Sequence, residues 1–338
     1  MTLPSDAPIV QAPMAGGPST AELVAAVAQA GGYGSVAGGY LSADALRAAI
    51  AAARGLTGAA FGVNLFMAGL PANPDEVSRY VTELQPEADR LGIELGMPRW
   101  DDDAFEAKLD VVVAARVDLV TTTFGCPSSD VVDRLHSAGV RVGVTVTSVE
   151  EAGVAAAAGV DVVVAQGSEA GGHQACFLDL RPNTRPLLEL LGELRDSLEV
   201  PVIATGGLMS GADVAAALRQ GAIAAALGTA LLCTPEAATS PVHRAAMLER
   251  RFADTMVTRA FTGRYARGLA NRFAREHSAT APQAYPEVHH LTRPLRAAAT
   301  KAGDPDVPNL WAGTGWRQVR AEPAAAVVRR FATELASS

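Results

Sequence analysis

The chain has 338 residues, of which 49% are hydrophobic and 19% charged, with a formal net charge of −8. An acidic chain without a basic stripe is poorly matched to nucleic acid, and anionic lipid would repel it. No apolar run reaches the ~18 residues of a membrane span and no leader-like segment opens the chain, so a soluble cytoplasmic monomer or homodimer is expected. Cys126, Cys176 and Cys233 are too far apart for a metal motif, so neither a zinc site nor a disulfide framework is expected.

Aromatic residues make up only 5%, so Ala, Val and Leu must fill the core, which favours a parallel sheet under closely packed helices. The chain order bears this out as a repeating pattern. Ile9-Val10 ends at Gln11-Ala12-Pro13-Met14, and Ser19 or Thr20 then caps a helix to about Ala30. Strand two is expected over 33–37 and strand three over 60–65. Two helices, from Asn73-Pro74 to Leu91 and over 101–116, form an insertion. Strands four to eight are expected over 118–123, 140–147, 160–166, 200–205 and 223–227, each followed by a helix. Eight strand-then-helix units with near-continuous apolar strands predict a (βα)8 barrel over residues 1–235, with a doubly wound open sheet as the alternative. Residues 236–338 lack the rhythm. They are expected to form a helical extension that completes the barrel and caps its mouth, with the insertion after strand three adding to this helical portion.

All loops after barrel strands open on one mouth. Ala12, Pro13, Met14, Asn64, Thr121, Thr122, Thr123, Gln166, Gly171, Gly172, His173, Gly206, Gly207, Gly228 and Thr229 converge there. Glycines after strands seven and eight either make tight turns or let backbone N–H groups approach a phosphate, with Ser210 and Gly211 opening the next helix. Asn64 and Gln166 end buried strands, where an unpaired amide costs about 1–3 kcal/mol. Their partners are either neighbouring loop backbone or the polar edge of a planar group such as a flavin. His173, the one histidine in a strand-end glycine loop, suits proton transfer near neutral pH. Glu169 either polarises it or caps the next turn.

Gln11-Ala-Pro-Met-Ala-Gly-Gly17, Phe61-Gly-Val-Asn-Leu65, Gln166-Gly-Ser-Glu-Ala-Gly-Gly-His173, Ala204-Thr-Gly-Gly207 and Leu227-Gly-Thr229 together resemble the nitronate monooxygenases, formerly called 2-nitropropane dioxygenases. The resemblance implies an FMN-bearing barrel that oxidises alkyl nitronates, and in some members nitroalkanes, with O2 to a carbonyl compound and nitrite. By resemblance Asn64, Gln166, Gly171, Gly207 and 226–229 match FMN-binding positions, and His173 matches the catalytic base. Gln174-Ala175 stands where relatives often have Arg-Gly, and Tyr265, Tyr285 and Lys301 are candidates for the substrate side. Two other readings share the barrel. One is an FMN-dependent NAD(P)H reductase of the enoyl-acyl carrier protein or quinone type. The other is a barrel that binds FMN or another ligand without catalysis.

Overall fold

The apolar runs form strands whose side chains point alternately inward and outward. The computed structural model describes residues 2–338. Its strands in chain order are β1 (Ile9–Gln11), β2 (Gly34–Ala37), β3 (Phe61–Phe66), β4 (Leu119–Thr123), β5 (Arg141–Val146), β6 (Val162–Gln166), β7 (Gly172–His173), β8 (Val202–Thr205) and β9 (Ala224–Leu227). All but β7 pair in parallel in the order β1-β9-β8-β6-β5-β4-β3-β2, and a parallel bridge from Val10 to Tyr33 closes the ring. The result is an eight-stranded barrel, not an open sheet.

The alternation sorts the core into two layers. Val10, Tyr33, Leu119, Val162, Ile203, Ala224 and Ala226 fill the barrel, while Val63, Leu65, Val163, Ala165, Ala204, Ala225 and Leu227 face the surrounding helices. Tyr33 donates to Asp118 at 2.8 Å across the barrel floor. In β6, residues 162, 164 and 166 climb the same inner face, which delivers Gln166 to the mouth.

The helices start where local side chains satisfy their first N–H groups. Ser42, Ser128 and Ser148 cap by accepting from Ala45, Val131 and Glu151, and Ser210 forms a reciprocal capping box with Asp213. The helix expected over 101–116 begins at Phe105, because Asp101 and Asp102 accept from the backbone of Asp103 and Ala104 in tight turns.

The tail departs from the helical expectation. Between helices Pro241–Leu248 and Arg272–His277 it forms β10 (Thr255–Thr258) and β11 (Ala266–Leu269), an antiparallel pair. β11 then pairs with β7, matching Ala266 with His173 and Arg267 with Gly172. The glycine-rich turn after β6 is therefore held by a strand contributed from the tail.

Helix Pro74–Leu91 of the insertion packs with helix Glu287–Ala302 around a second core that includes Tyr80, Leu84, Phe261, Phe273, Leu291 and Leu295. Glu87 and Glu83 on the first helix meet Arg272 and His277 on the tail, with Arg272 also holding Glu276. Helix Ala324–Ala336 returns to the barrel, where Val327, Val328 and Phe331 join the main core.

Candidate active site

The strand ends enclose a cavity of about 770 Å³ at the barrel mouth. Of the residues singled out from the sequence, Ala12, Pro13, Met14, Asn64, Gln166, Gly171, Gly172, His173, Gly206, Gly207, Ala226, Gly228 and Thr229 line it. Leu227 does not. Inward-facing Ala226 and Gly228 put Leu227 on the opposite face of β9, and its side chain is buried among the helices.

Both amides find partners inside the protein. Asn64 donates to the Thr121 carbonyl at 3.2 Å and to the Thr121 and Thr123 hydroxyls at 3.0 Å each. Gln166 donates to the His173 carbonyl at 3.1 Å and accepts from the Ala175 N–H at 2.8 Å, so it ties off the loop that carries the histidine. Gln174 is buried and pairs reciprocally with Asn183, at 2.8 Å each way. The unusual Gln174-Ala175 pair thus secures the loop and does not face the cavity. Glu169 accepts from Leu187 N–H at the start of helix Leu187–Ser197, which makes it a cap and leaves His173 without a carboxylate partner.

His173 Nε2 lies 2.9 Å from the Thr262 hydroxyl, which itself donates to the Arg264 carbonyl at 3.2 Å. A hydroxyl has one proton to donate. With that proton on Arg264, Thr262 accepts from Nε2–H, and the lone pair of His173 resides on Nδ1. Phe124, Tyr285 and Trp311 surround the ring with centroids 5.5–5.6 Å away. Burial first, then the Arg264 and Arg296 cations, push the His173 pKa down to about 3. The imidazole is neutral at ordinary pH.

Arg293, Arg296 and Lys301 supply the charged part of the lining, which includes no carboxylate. They come from one face of helix Glu287–Ala302, as does His289, whose ring stacks on Tyr40 at 4.2 Å. Arg296 is held by the His289 carbonyl, Thr292 and Asn309, all uncharged, and burial lowers its pKa to about 10. Tyr265 lies outside the lining, under the Arg259 guanidinium, whereas Tyr285 packs against His173 and Lys301 reaches the cavity. The three thiols are free and burial pushes each pKa upward, which removes the reactive thiolate.

Sequence reasoning missed Thr262, Arg264, Arg296, His289 and Tyr40. For the helix there was a signal: residues 289, 293, 296 and 300 recur at helical spacing, and 289, 293 and 296 are basic or titratable. Thr262 had none, because its role comes from the β7–β11 pairing.

Residues 3–332 match the family model described as nitronate monooxygenase. The chain belongs to the nitronate monooxygenase family. It is 35% identical over 336 residues to a probable nitronate monooxygenase of Staphylococcus aureus (strain MSSA476), covering 97% of this chain and 94% of that one. Its fold matches the nitroalkane oxidase of Streptomyces ansochromogenes with a TM-score of 0.97 at 48% identity, covering 99% and 97% of the two chains. FabK from Thermotoga maritima matches with a TM-score of 0.78 at 26% identity, covering 99% and 94%.

Nitronate monooxygenases are flavin-dependent oxidoreductases, and the cavity offers unpaired donors to such a group. The backbone N–H groups of Gly207, Gly228 and Thr229 have no hydrogen-bond acceptor among the described residues. A Cβ on Gly228 would meet nothing nearer than Ala12 at 3.7 Å and the Met14 sulfur at 3.9 Å, so the protein's own packing does not require glycine there. Free donors at a glycine without a packing reason suit a phosphate-bearing ligand. The N-terminus of helix Gly211–Arg219, however, is taken. Met209 and Ser210 donate to Asp213, and Gly211 donates to Glu334 at 2.7 Å. An anion cradle here would therefore be built from loop amides, not from Ser210 and Gly211.

Gly171 is required for a different reason from Gly228. A Cβ there would stand 2.4 Å from Gly313 N and 2.5 Å from Ala312 C, where the tail crosses the loop. Gly171→Ala is expected to cost about 1–3 kcal/mol through this overlap. It should lower the thermal midpoint and loosen flavin binding together; an unchanged midpoint would show that the tail segment yields freely.

Proposed function

We propose that this chain uses FMN to oxidise alkyl nitronates, and neutral nitroalkanes less readily, with O2 to a carbonyl compound and nitrite. The observation that carries this reading is a cavity with Arg293, Arg296 and Lys301 in its lining, no carboxylate, and a neutral histidine among them. Such a site favours a small anion. Gly207, Gly228 and Thr229 would hold the FMN phosphate, with Ala12, Pro13 and Met14 against the ring, Asn64 and Gln166 at its edge, and Gly171, Gly172, Gly206 and Ala226 shaping the pocket. Residues 1–235 supply the barrel in this reading and 236–338 supply the substrate side. When bound, FMN supplies the redox chemistry, taking electrons from the substrate anion and passing them to O2.

The chain's own part is to bind and orient the anion and to manage one proton. Arg296 and its neighbours offset the nitronate charge, and the Phe124, Tyr285 and Trp311 rings exclude water. With a neutral nitroalkane, His173 Nδ1 takes the proton from the carbon next to the nitro group. An imidazole whose conjugate acid has a pKa of about 3 is a weak base for that step, since general bases work best near the operating pH. Negative charge developing on the nitro group would strengthen it. A preformed nitronate bypasses the step, and His173 then positions it. This difference places nitronates ahead of nitroalkanes. The second reading is an FMN-dependent NAD(P)H reductase on the same barrel.

The purified protein should carry FMN and consume O2 with propionate 3-nitronate. Rapid anaerobic bleaching by NADH without nitronate-dependent O2 uptake would replace the oxidase reading with the reductase one.

A further inference from the structure

Two side chains in the cavity wall each leave a buried polar atom unpaired and have no part in the scheme above. His243 Nε2 and Thr239 Oγ1 are each buried without a hydrogen bond, in residues only 8% and 6% exposed. Both residues line the cavity. A buried polar atom left unpaired costs free energy comparable to a lost hydrogen bond, so two in the lining of one cavity point to a ligand that satisfies them. Both groups are uncharged. Burial holds the His243 pKa down near 4, against a smaller upward pull from the Trp311 backbone. A neutral imidazole and a hydroxyl match neutral groups that both donate and accept, which describes alcohol hydroxyls better than phosphate oxygens.

Their position narrows the choice. Trp311 lies against His243, and two residues later Gly313 N–H donates to the Thr229 hydroxyl at 2.9 Å, beside the anion cradle. Met14 faces Gly228 on one side, and on the other it packs in a cluster with Leu232 and Met247, the latter one helical turn from His243. The pair therefore flanks the path from the cradle into the cavity. In a flavin nucleotide that path is occupied by the polyhydroxylated chain joining phosphate to ring.

We infer that His243 and Thr239 form a hydroxyl-recognition subsite for the ribityl chain of the flavin, supplied by the segment that follows the barrel. This inference rests on the flavin reading above and adds a determinant of cofactor choice to it. The test is binding, without turnover. Full-length protein stripped of flavin is titrated with FMN, riboflavin and lumiflavin, which lacks the ribityl hydroxyls, and followed by flavin fluorescence. Thr239→Val and His243→Met should each weaken FMN and riboflavin about tenfold, the scale of one lost hydrogen bond in a dry site. Lumiflavin should bind the variants as it binds the wild type, and His243→Gln should recover part of the loss. Unchanged FMN affinity in both variants overturns the inference, as does an equal loss for lumiflavin, which would mean lost packing. Thr239→Val is nearly isosteric and carries the test alone should His243→Met fail to fold. A wild-type protein that binds none of the three flavins removes the cofactor reading itself, and the subsite with it.

Discussion

His173→Ala is expected to retain FMN and to lose about 10²–10⁴-fold in kcat/KM on neutral nitroalkanes, the usual contribution of a positioned general base. On preformed nitronates the loss should be nearer tenfold, reflecting only weaker positioning of the anion. The split follows from the hydrogen-bond chain. The Arg264 carbonyl accepts a hydrogen bond from the Thr262 hydroxyl, the hydroxyl oxygen accepts one from His173 Nε2–H, and Nδ1 is left as the basic atom. Its cavity is cationic, so the variant still attracts an anion. Steady-state O2 uptake with a nitroalkane and its nitronate measures both arms. Equal losses on the two substrates would remove the base role and leave His173 as a steric wall.

Acid should destabilise the protein from about pH 6.5 downward. His173 and His243 have pKa values pushed down to about 3 and 4, and burial lowers His289 further still. Unfolded, each binds a proton near pH 6.5. Between these limits the unfolded chain holds more protons than the folded one, so stability rises with pH and falls on acidification. Each histidine contributes a slope of at most about 1.4 kcal/mol per pH unit below pH 6.5. Glu87, held down to about 2 by Arg272, adds loss in the same direction below about pH 4.5. Asp103 and Asp179, raised by burial, act in the opposite direction and offset part of the fall that the histidines cause between about pH 6.5 and 4.5. Urea midpoints across that window should fall steeply, and less so in His289→Phe, which keeps an aromatic ring on Tyr40. A flat profile would mean that the three imidazoles take up protons while folded.

The barrel was legible because its evidence is local and repeated. Each strand is a short apolar run, each helix has its own cap, and eight such units in series leave few alternatives. Most of the cavity lining followed from the rule that strand ends share a mouth. Leu227 came in only with the 226–229 run, and alternation along β9 sends Ala226 inward and the Leu227 side chain outward. Asn64 and Gln166 were rightly placed at the mouth, but β4 satisfies the first and the histidine loop the second, which sequence alone cannot separate from a waiting ligand. Glu169 and Gln174 turned out to be fasteners of the histidine loop. What stayed hidden depends on pairing across long separations. Thr262 sits 89 residues from His173, and neither sequence segment announces the other.

The stitching of β7 to β11 also bears on how the enzyme comes into being. Chains emerge from the ribosome N-terminus first, and segments can fold as they appear. All eight barrel strands are complete by Leu227, yet Ala266 and Thr262, which fix His173, and the Ala312-Gly313 strap over Gly171 are still to be synthesised. The helix at 324–336, whose Phe331 lies in the main core, comes last of all. In order of synthesis, the last barrel strand therefore precedes every tail residue that holds His173 and Gly171 in place.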